Sequence, residues 1–385
     1  MADPRAGDQV EHSLQQTVAR AQDRDEAELL ARQLLDAVAR LRPGDRDALS
    51  AVTALEAAPT HVRKEATAAR LALKKAGANF FFVATPEEGL ALRTTLPDAH
   101  IFVLNGLPPG SATHFAEQRL MPVLNSLSEL DQWLQLCLQR EESVPAALHF
   151  DTGMNRLGFR LQDASIVKSK MDETGYLPQM VMSHLACADV PGHEKNRTQR
   201  AIFQSLLTHF PHIPASLANS AGTLGGRENH FQMVRPGIAL YGGRAINGRP
   251  NPMTQAVTVE MPILQVREAR TGETVGYGAT YQLTRESRLA TIGVGYADGL
   301  LRHLSGSNTM PGGKVAINGR LVPILGRVSM DLITLDVTDA DCAPGDMVEI
   351  LGPNQSIDDL ARAAGTIGHE ILTSLGSRYS RTYGS

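Results

Sequence analysis

This sequence is short of several things, and each shortage excludes a class of protein. Aromatic residues make up 5% of it, with a single tryptophan, and no apolar run approaches the roughly 20 residues that a membrane-spanning helix requires. Residues 1–15 are polar and acidic, unlike a secretory signal. Neither sign of charge dominates. The 37 Lys and Arg against 41 Asp and Glu leave a net charge of −4, too weak a field to attract a polyanion, so neither nucleic acid nor an anionic membrane is an expected partner. Three cysteines, Cys137, Cys187 and Cys342, lie far apart with no CxxC spacing. That argues against a metal site and predicts three small buried side chains in a reducing, cytoplasmic setting. GxxxxGK[ST] and GxGxxG are both absent, which leaves nucleotide binding without support.

What is present is enough for a large core: 385 residues, 42% of them hydrophobic, predict two or three domains. Residues 11–41 are rich in Ala, Gln, Arg, Asp and Leu, and Leu30, Leu34, Val38 and Leu41 recur at helical spacing, so this stretch reads as amphipathic helix. Leu49, Val52 and Leu55 suggest a second helix before Pro59, and no strand-like run is expected before residue 79. Beyond it, short apolar runs alternate with helical segments. The candidate strands are 79–84, 100–106, 120–126, 147–153, 179–185, 215–220 and 233–241, most of them apolar on both faces, as in a parallel sheet covered by helices. Seven strands are one short of a closed eight-stranded barrel, and an open parallel sheet fits the count equally well.

After a linker-like GRPNP at 248–252 the pattern changes to alternating segments at 256–261, 289–294, 314–317, 332–337 and 347–351, which predict an antiparallel β domain. One helix is expected over 356–371, started by a Ser-Ile-Asp-Asp cap. The expected organisation is an atypical helical segment at 1–70, an α/β domain at 71–246 and a β domain at 253–385.

Polar residues gather at the C-terminal ends of the parallel strands, the edge where α/β folds bind ligands. Asp151, Asn155 and Arg156 end one strand, and a structural Asp151–Arg156 ion pair is the alternative to a functional role there. Ser183 and His184 end another; a lone histidine in such a place is more often a satisfied core residue. Arg235 precedes a Pro-Gly turn whose backbone N–H groups at Gly237 and Ile238, with the Ser220 hydroxyl, suit an anion, although an ordinary strand-to-turn connection reads the same way. In the β domain Tyr277 and Tyr296 sit between small residues that let a phenol project from a turn.

Taken together, DTGMNRLGF, SHLACAD, ANSAG, VRPGIALYGG, GYGATY, GYADG and GRVSMD occur in the order in which they occur in the alanine racemase family, which this chain closely resembles from about Gly77 to Tyr383. The resemblance implies an α/β fold with a barrel that binds pyridoxal 5′-phosphate (PLP), a C-terminal antiparallel β domain, and the interconversion of L- and D-alanine that supplies cell-wall precursor. It further implies a homodimer whose active sites are shared between subunits. By motif, Tyr277 would be the acid/base tyrosine, supplied by the partner. Arg235 would face the pyridine nitrogen, Ser220, Gly237 and Ile238 would hold the phosphate, and His184 would lie beside the ring. Arg156, Tyr296 and Met330 would line the substrate site, and no metal is implied. Racemisation of serine or a broader set of amino acids is an alternative within the same chemistry, because pocket size rather than motif sets that choice.

The chain departs from the family in one place. Members carry the lysine that bonds PLP at the end of the first barrel strand, in a motif like VVKANAYGHG about twenty residues before the Gly77 position. Here that distance reads EAAPTHVRKE, and the nearest lysines, Lys64, Lys74 and Lys75, lie in a helix-like stretch. The lysine role is carried onto none of them. A non-catalytic homologue, or a chain whose first 70 residues are aberrant, is the corresponding alternative.

Overall fold

The computed structural model describes residues 18–21, 53–54, 73–74 and 77–383, which divide into two compact units. The N-terminal expectations are corrected where they can be compared. Val18–Ala21 forms strand β1 and Thr53–Ala54 forms strand β2, where helices were expected and strands were not. Both are short segments recruited by an existing sheet. β1 lies parallel to a C-terminal strand, and Thr53 and Ala54 pair with Phe81 and Phe82, so tertiary pairing overrides local helix preference. The rest of the helical reading of 11–41 and 49–55 lies outside the described residues.

One unit comprises residues 28–240 and 244–253. After β2 come β3 (Phe80–Val83), α1 (Pro86–Thr95), β4 (His100–Val103), α2 (Ala112–Glu117), β5 (Leu120–Leu124) and α3 (Leu127–Arg140). Then follow β6 (Ala147–His149), α4 (Ala164–Thr174), β7 (Met180–Met182), α5 (Glu194–Leu206), β8 (Ala215–Ser216) and α6 (Ser220–Gly225). Local chemistry sets the helix ends. Thr85 and Glu88 form a capping box ahead of Pro86 at the start of α1, Ser126 accepts from the Glu129 N–H at the start of α3, and Gly175 takes φ +64° to end α4.

β2 to β8 form a parallel sheet in strict sequence order. A doubly wound open sheet reverses its strand order at a switch point, whereas sequential neighbours all the way round are barrel winding. The expected strand at 233–241 is reduced to one parallel bridge from Met233 to Ser216, in the eighth position, because Pro236 cannot donate to a ladder and a 3-10 turn takes over at Ile238–Tyr241. Inside the sheet Phe82, Phe102, Met121, Val123, Ala147, Met180, Met182 and Met233 pack as one buried cluster.

The other unit, residues 1–27, 241–243 and 254–385, is antiparallel apart from the β1 pairing with the last strand. It contains β9 (Val259–Ala269), β10 (Thr274–Val275), β11 (Tyr281–Gln282), β12 (Ser287–Ile292), β13 (Lys314–Ile317), β14 (Arg320–Leu325), β15 (Ile333–Asp336) and β16 (Met347–Leu351), then α7 (Ile357–Ala363), α8 (Gly368–Ser374) and β17 (Ser380–Tyr383). The long strand β9 pairs with β16 through its first half and with β12 through its second, which closes the ring β9-β12-β15-β14-β13-β16 and removes free edges. Ser356 caps α7 as expected, but the single helix expected over 356–371 is two, broken where Gly365 takes φ +69°. Cys137 and Cys342 are buried as expected. Cys187 is only half-buried, because it sits in the loop after β7 rather than on an element. Among the described residues no helix is long and apolar enough to cross a membrane.

Candidate active site

Along the parallel strands the inward-facing residues are apolar through most of their length and polar at the end. Continuing the period-two alternation one step past Val123, Ala147, Met182 and Met233 reaches Asn125, His149, His184 and Arg235. Arg235 is the centre of this layer, with 3% of its surface exposed. Its Nη1 donates to the Ser216 hydroxyl, and its Nη2 donates to the Ser183 carbonyl at 2.6 Å and lies 3.4 Å from Nδ1 of His184. Ser216 donates its own proton to the Met233 carbonyl at 2.9 Å, which turns its lone pairs toward the guanidinium.

No carboxylate is among those partners. A buried cation surrounded by neutral groups is costly, and a guanidinium has five N–H donors, so this one retains capacity for a further acceptor. Burial lowers its pKa to about 10, which leaves it charged at neutral pH. Burial and then the Arg235 charge bring His184 down to about 3 and His149 to about 4, so both imidazoles are neutral. Nδ1 of His149 lies 2.7 Å from Asn125 Oδ1, while the Asn125 amide donates to the Val123 carbonyl at 2.7 Å. The proton between the two side chains therefore belongs to His149 Nδ1, and its Nε2 is an acceptor.

Beside this layer lies a cluster of backbone donors. Ser220, 5% exposed, opens α6, and its Oγ accepts from the Gly237 N–H at 2.7 Å and the Ala239 N–H at 3.3 Å, with Ile238 between them. Thus Ser220, Gly237 and Ile238 are neighbours in space although 17 residues separate the first two.

Arg156 is exposed in the loop after β6. The alternative of an Asp151–Arg156 ion pair is not what the fold builds. Asp151 instead accepts from the backbone N–H groups of Gly153 and Met154 at 2.8 Å and of Asn155 at 2.9 Å, three donors that a tight loop leaves facing inward. Burial pushes its carboxyl upward, but the three donors together outweigh that and hold it below the ordinary value.

The antiparallel unit carries the remaining candidates. Tyr277 is 73% exposed on a turn between Gly276 and Gly278, both at positive φ. A Cβ at Gly278 would lie 3.0 Å from the Arg327 guanidinium, so this turn rests on the GRVSMD segment. Tyr296 rests on the same segment: its N–H donates to the Ser329 carbonyl and the Ala297 N–H to the Met330 carbonyl, both at 3.0 Å. Residues 327–330 thus gather Tyr277, Tyr296 and Met330, which are far apart in sequence, and all three side chains are exposed.

Sequence reasoning missed Asn125 and Ser216 in this layer, and Thr152 and Gln199, which bond the Ser183 hydroxyl and the His184 carbonyl. For Asn125 the signal was available as the period-two continuation of a buried strand. For Ser216 the inward register opposite Met182 needs the sheet pairing.

Two family patterns match most of the chain. "Alanine racemase, N-terminal domain" matches residues 63–245 and "Alanine racemase, C-terminal domain" matches residues 256–383. The chain belongs to the alanine racemase family. Among curated alanine racemases, that of Rhizobium meliloti is 47% identical over 322 residues, 81% of this chain and 85% of the relative, and that of Rhodospirillum rubrum is 46% identical over 318 residues, 81% and 84%. Among solved alanine racemases, the Bartonella henselae structure with covalently bound pyridoxal phosphate superposes with a TM-score of 0.85 at 36% identity, covering 96% of this chain and 99% of that one. The alanine racemase family pattern begins at residue 63, downstream of β2.

Proposed function

We propose that the chain binds PLP in the polar layer of its parallel unit and interconverts L- and D-alanine. The observation that supports this best is Arg235, a buried cation whose partners are all neutral and which can accommodate one more acceptor. The pyridine nitrogen of PLP is such an acceptor, and the phosphate suits the donors around Ser220, Gly237 and Ile238, so the residues present fit the ring and phosphate of the cofactor. PLP, when bound, withdraws electron density from an amino acid joined to it and so acidifies the Cα proton.

The chain's own residues do the rest. Neutral His184 lies beside the ring without adding positive charge, and Arg235 keeps its protons and donates toward the ring nitrogen. Arg156 holds the alanine carboxylate, while Tyr296 and Met330 line the substrate space. Tyr277, supplied by a second copy of the chain, moves a proton at one face of Cα. Residues 71–246 act as the cofactor domain, 253–385 as the domain that lends the tyrosine, and the assembly is a cytoplasmic homodimer. Serine enters the same chemistry if the pocket is wide enough.

A second reading is favoured by one observation. β2 ends at Ala54 in the first strand position, and Leu55, Glu56 and Ala57 follow it, with Lys64 the next lysine. Of the five described lysines, Lys74 bonds Asn79, Lys168 and Lys170 pair with Asp172 and Asp131, Lys195 lies beside Gly153 at the start of α5, and Lys314 is exposed at the start of β13 in the antiparallel unit. On this reading the chain holds PLP without a covalent lysine and does not racemise.

One experiment separates the two. Purified protein is mixed with PLP and L-alanine and followed for D-alanine, and a second sample is reduced with borohydride and mapped by mass spectrometry. D-alanine together with a pyridoxyl group on Lys64 or another lysine supports the first reading. Retention of PLP with neither result supports the second, and no retention of PLP overturns both.

A further inference from the structure

The buried stripe of α5 changes character along its length. Phe203 and Leu206 are apolar, as a packed helix face requires, but Asn196 and Gln199, at the same i, i+3 and i+7 spacing, are buried amides. Gln199 is 1% exposed, and a primary amide so placed is tolerated only when its hydrogen-bonding groups find partners. Its Oε1 accepts from the Ala186 N–H at 2.9 Å, and its Nε2 donates to the His184 carbonyl at 2.9 Å and to Thr152 Oγ1 at 3.3 Å. Thr152 Oγ1 lies 2.7 Å from Ser183 Oγ, and Asn196 donates to the carbonyls of Cys187 and Val190 at 2.9 and 3.0 Å.

Two consecutive carbonyls are thereby held from different sides. That of Ser183 accepts from Arg235 and that of His184 accepts from Gln199. The backbone that carries the His184 ring is fixed at both ends of one residue, and through Thr152 the same amide reaches the loop that carries Arg156. We propose that Gln199 is a positioning residue: it fastens the loop after β6 and the loop after β7 to each other and so sets the geometry of His184 against Arg235. The proposal rests on the cofactor-site reading above for its purpose, while the fastening itself can be measured without cofactor.

The proposed phosphate site at Ser220, Gly237 and Ile238 belongs to a different part of the layer and makes no bond to Gln199. A positioning role therefore predicts a split that general destabilisation does not. In the full-length protein without ligand, Gln199→Met should raise amide hydrogen exchange roughly tenfold in residues 151–160 and 183–190, equivalent to a loss of about 1.4 kcal/mol, and leave 216–222 unchanged. By equilibrium dialysis the same variant should bind PLP roughly tenfold more weakly while inorganic phosphate changes by less than about twofold. Thr152→Val should reproduce the exchange effect chiefly in 151–160, and Thr152→Ser, which keeps the hydroxyl, should restore it. This second pair keeps the question decidable if Gln199→Met fails to fold. Exchange that is unchanged, exchange that rises equally in 216–222, or equal weakening of PLP and phosphate overturns the proposal. If the unmodified protein retains no PLP but the exchange pattern appears, the cofactor reading falls and the fastening by Gln199 stands.

Discussion

Nη2 of Arg235 lies 3.4 Å from Nδ1 of His184. A guanidinium only donates, so this nitrogen of the imidazole carries a lone pair and the ring proton is on Nε2. Protonating His184 would set two cations side by side in a buried layer, which is why burial and Arg235 together keep the ring neutral.

The pH dependence of stability follows from that pair. His184 and His149 have folded pKa values of about 3 and about 4 and would titrate near 6.5 in the unfolded chain. Below pH 6.5 the unfolded chain binds more protons than the folded one, so stability is complete above that value and is lost as the pH falls toward the folded values. The limiting slope is about 1.4 kcal/mol per pH unit for each histidine. Urea midpoints measured from about pH 7 to about pH 4.5 should fall, and His184→Gln should flatten the curve. A midpoint independent of pH in this window contradicts the assignment.

Ser216→Ala removes the hydroxyl that accepts from Arg235 and leaves one buried charged donor without its acceptor. The expected cost is about 1–3 kcal/mol in urea denaturation at neutral pH. PLP affinity should fall as well, because the guanidinium is no longer held from below. A variant as stable as the parent would mean that Arg235 finds another acceptor at no cost.

Asp151→Ala strips three backbone N–H groups of their acceptor and should loosen the loop that presents Arg156. A loss of about 1–3 kcal/mol is expected at neutral pH. Because the folded carboxyl titrates below its ordinary value of 3.8, its contribution is present above that value and disappears as the pH falls through the folded pKa. The difference between parent and variant should therefore vanish in strong acid. Binding of alanine to the PLP-loaded protein should weaken in parallel.

Gly295→Ala tests the contact that gathers the exposed residues of the β unit. A Cβ there would lie 2.2 Å from the Met330 carbonyl oxygen and 2.3 Å from that of Ser329, both backbone atoms that cannot rotate away. The Tyr296 and Ala297 hydrogen bonds to this segment should break, with a stability loss of about 1–3 kcal/mol or more by thermal unfolding. Gly192→Ala, with no atom within 4 Å of the added carbon, serves as the control and should change little.

Tyr277→Phe addresses the chemistry. The side chain is exposed, so its hydroxyl can be removed with no loss of stability. Racemisation should fall roughly 10²–10⁴-fold, the usual contribution of a positioned acid or base, with PLP affinity unchanged. Deuterium exchange at alanine Cα reads the effect directly, and an unaltered rate would remove Tyr277 from the mechanism.

Much of this protein is determined by the sequence alone. Repeated apolar runs separated by helices specify parallel strands, because a strand covered on both faces must be apolar on both. The ordered motifs specify the family, and the polar residues at strand ends mark the edge at which the cofactor site is proposed. Local rules carry that far since each concerns neighbours a few residues apart. The tertiary structure decided what those rules cannot reach. Val18–Ala21 is a strand because it pairs with β9 on one side and with β17, at the other end of the chain, on the other. Asp151 serves backbone N–H groups rather than Arg156, a choice made by loop curvature. Ser216, Thr152 and Gln199 read in sequence as ordinary polar residues, and become the support of Arg235 and His184 only when segments 15 to 52 residues apart meet. A buried hydrogen bond is specified jointly by two distant segments, and neither segment alone contains the information that it will be made.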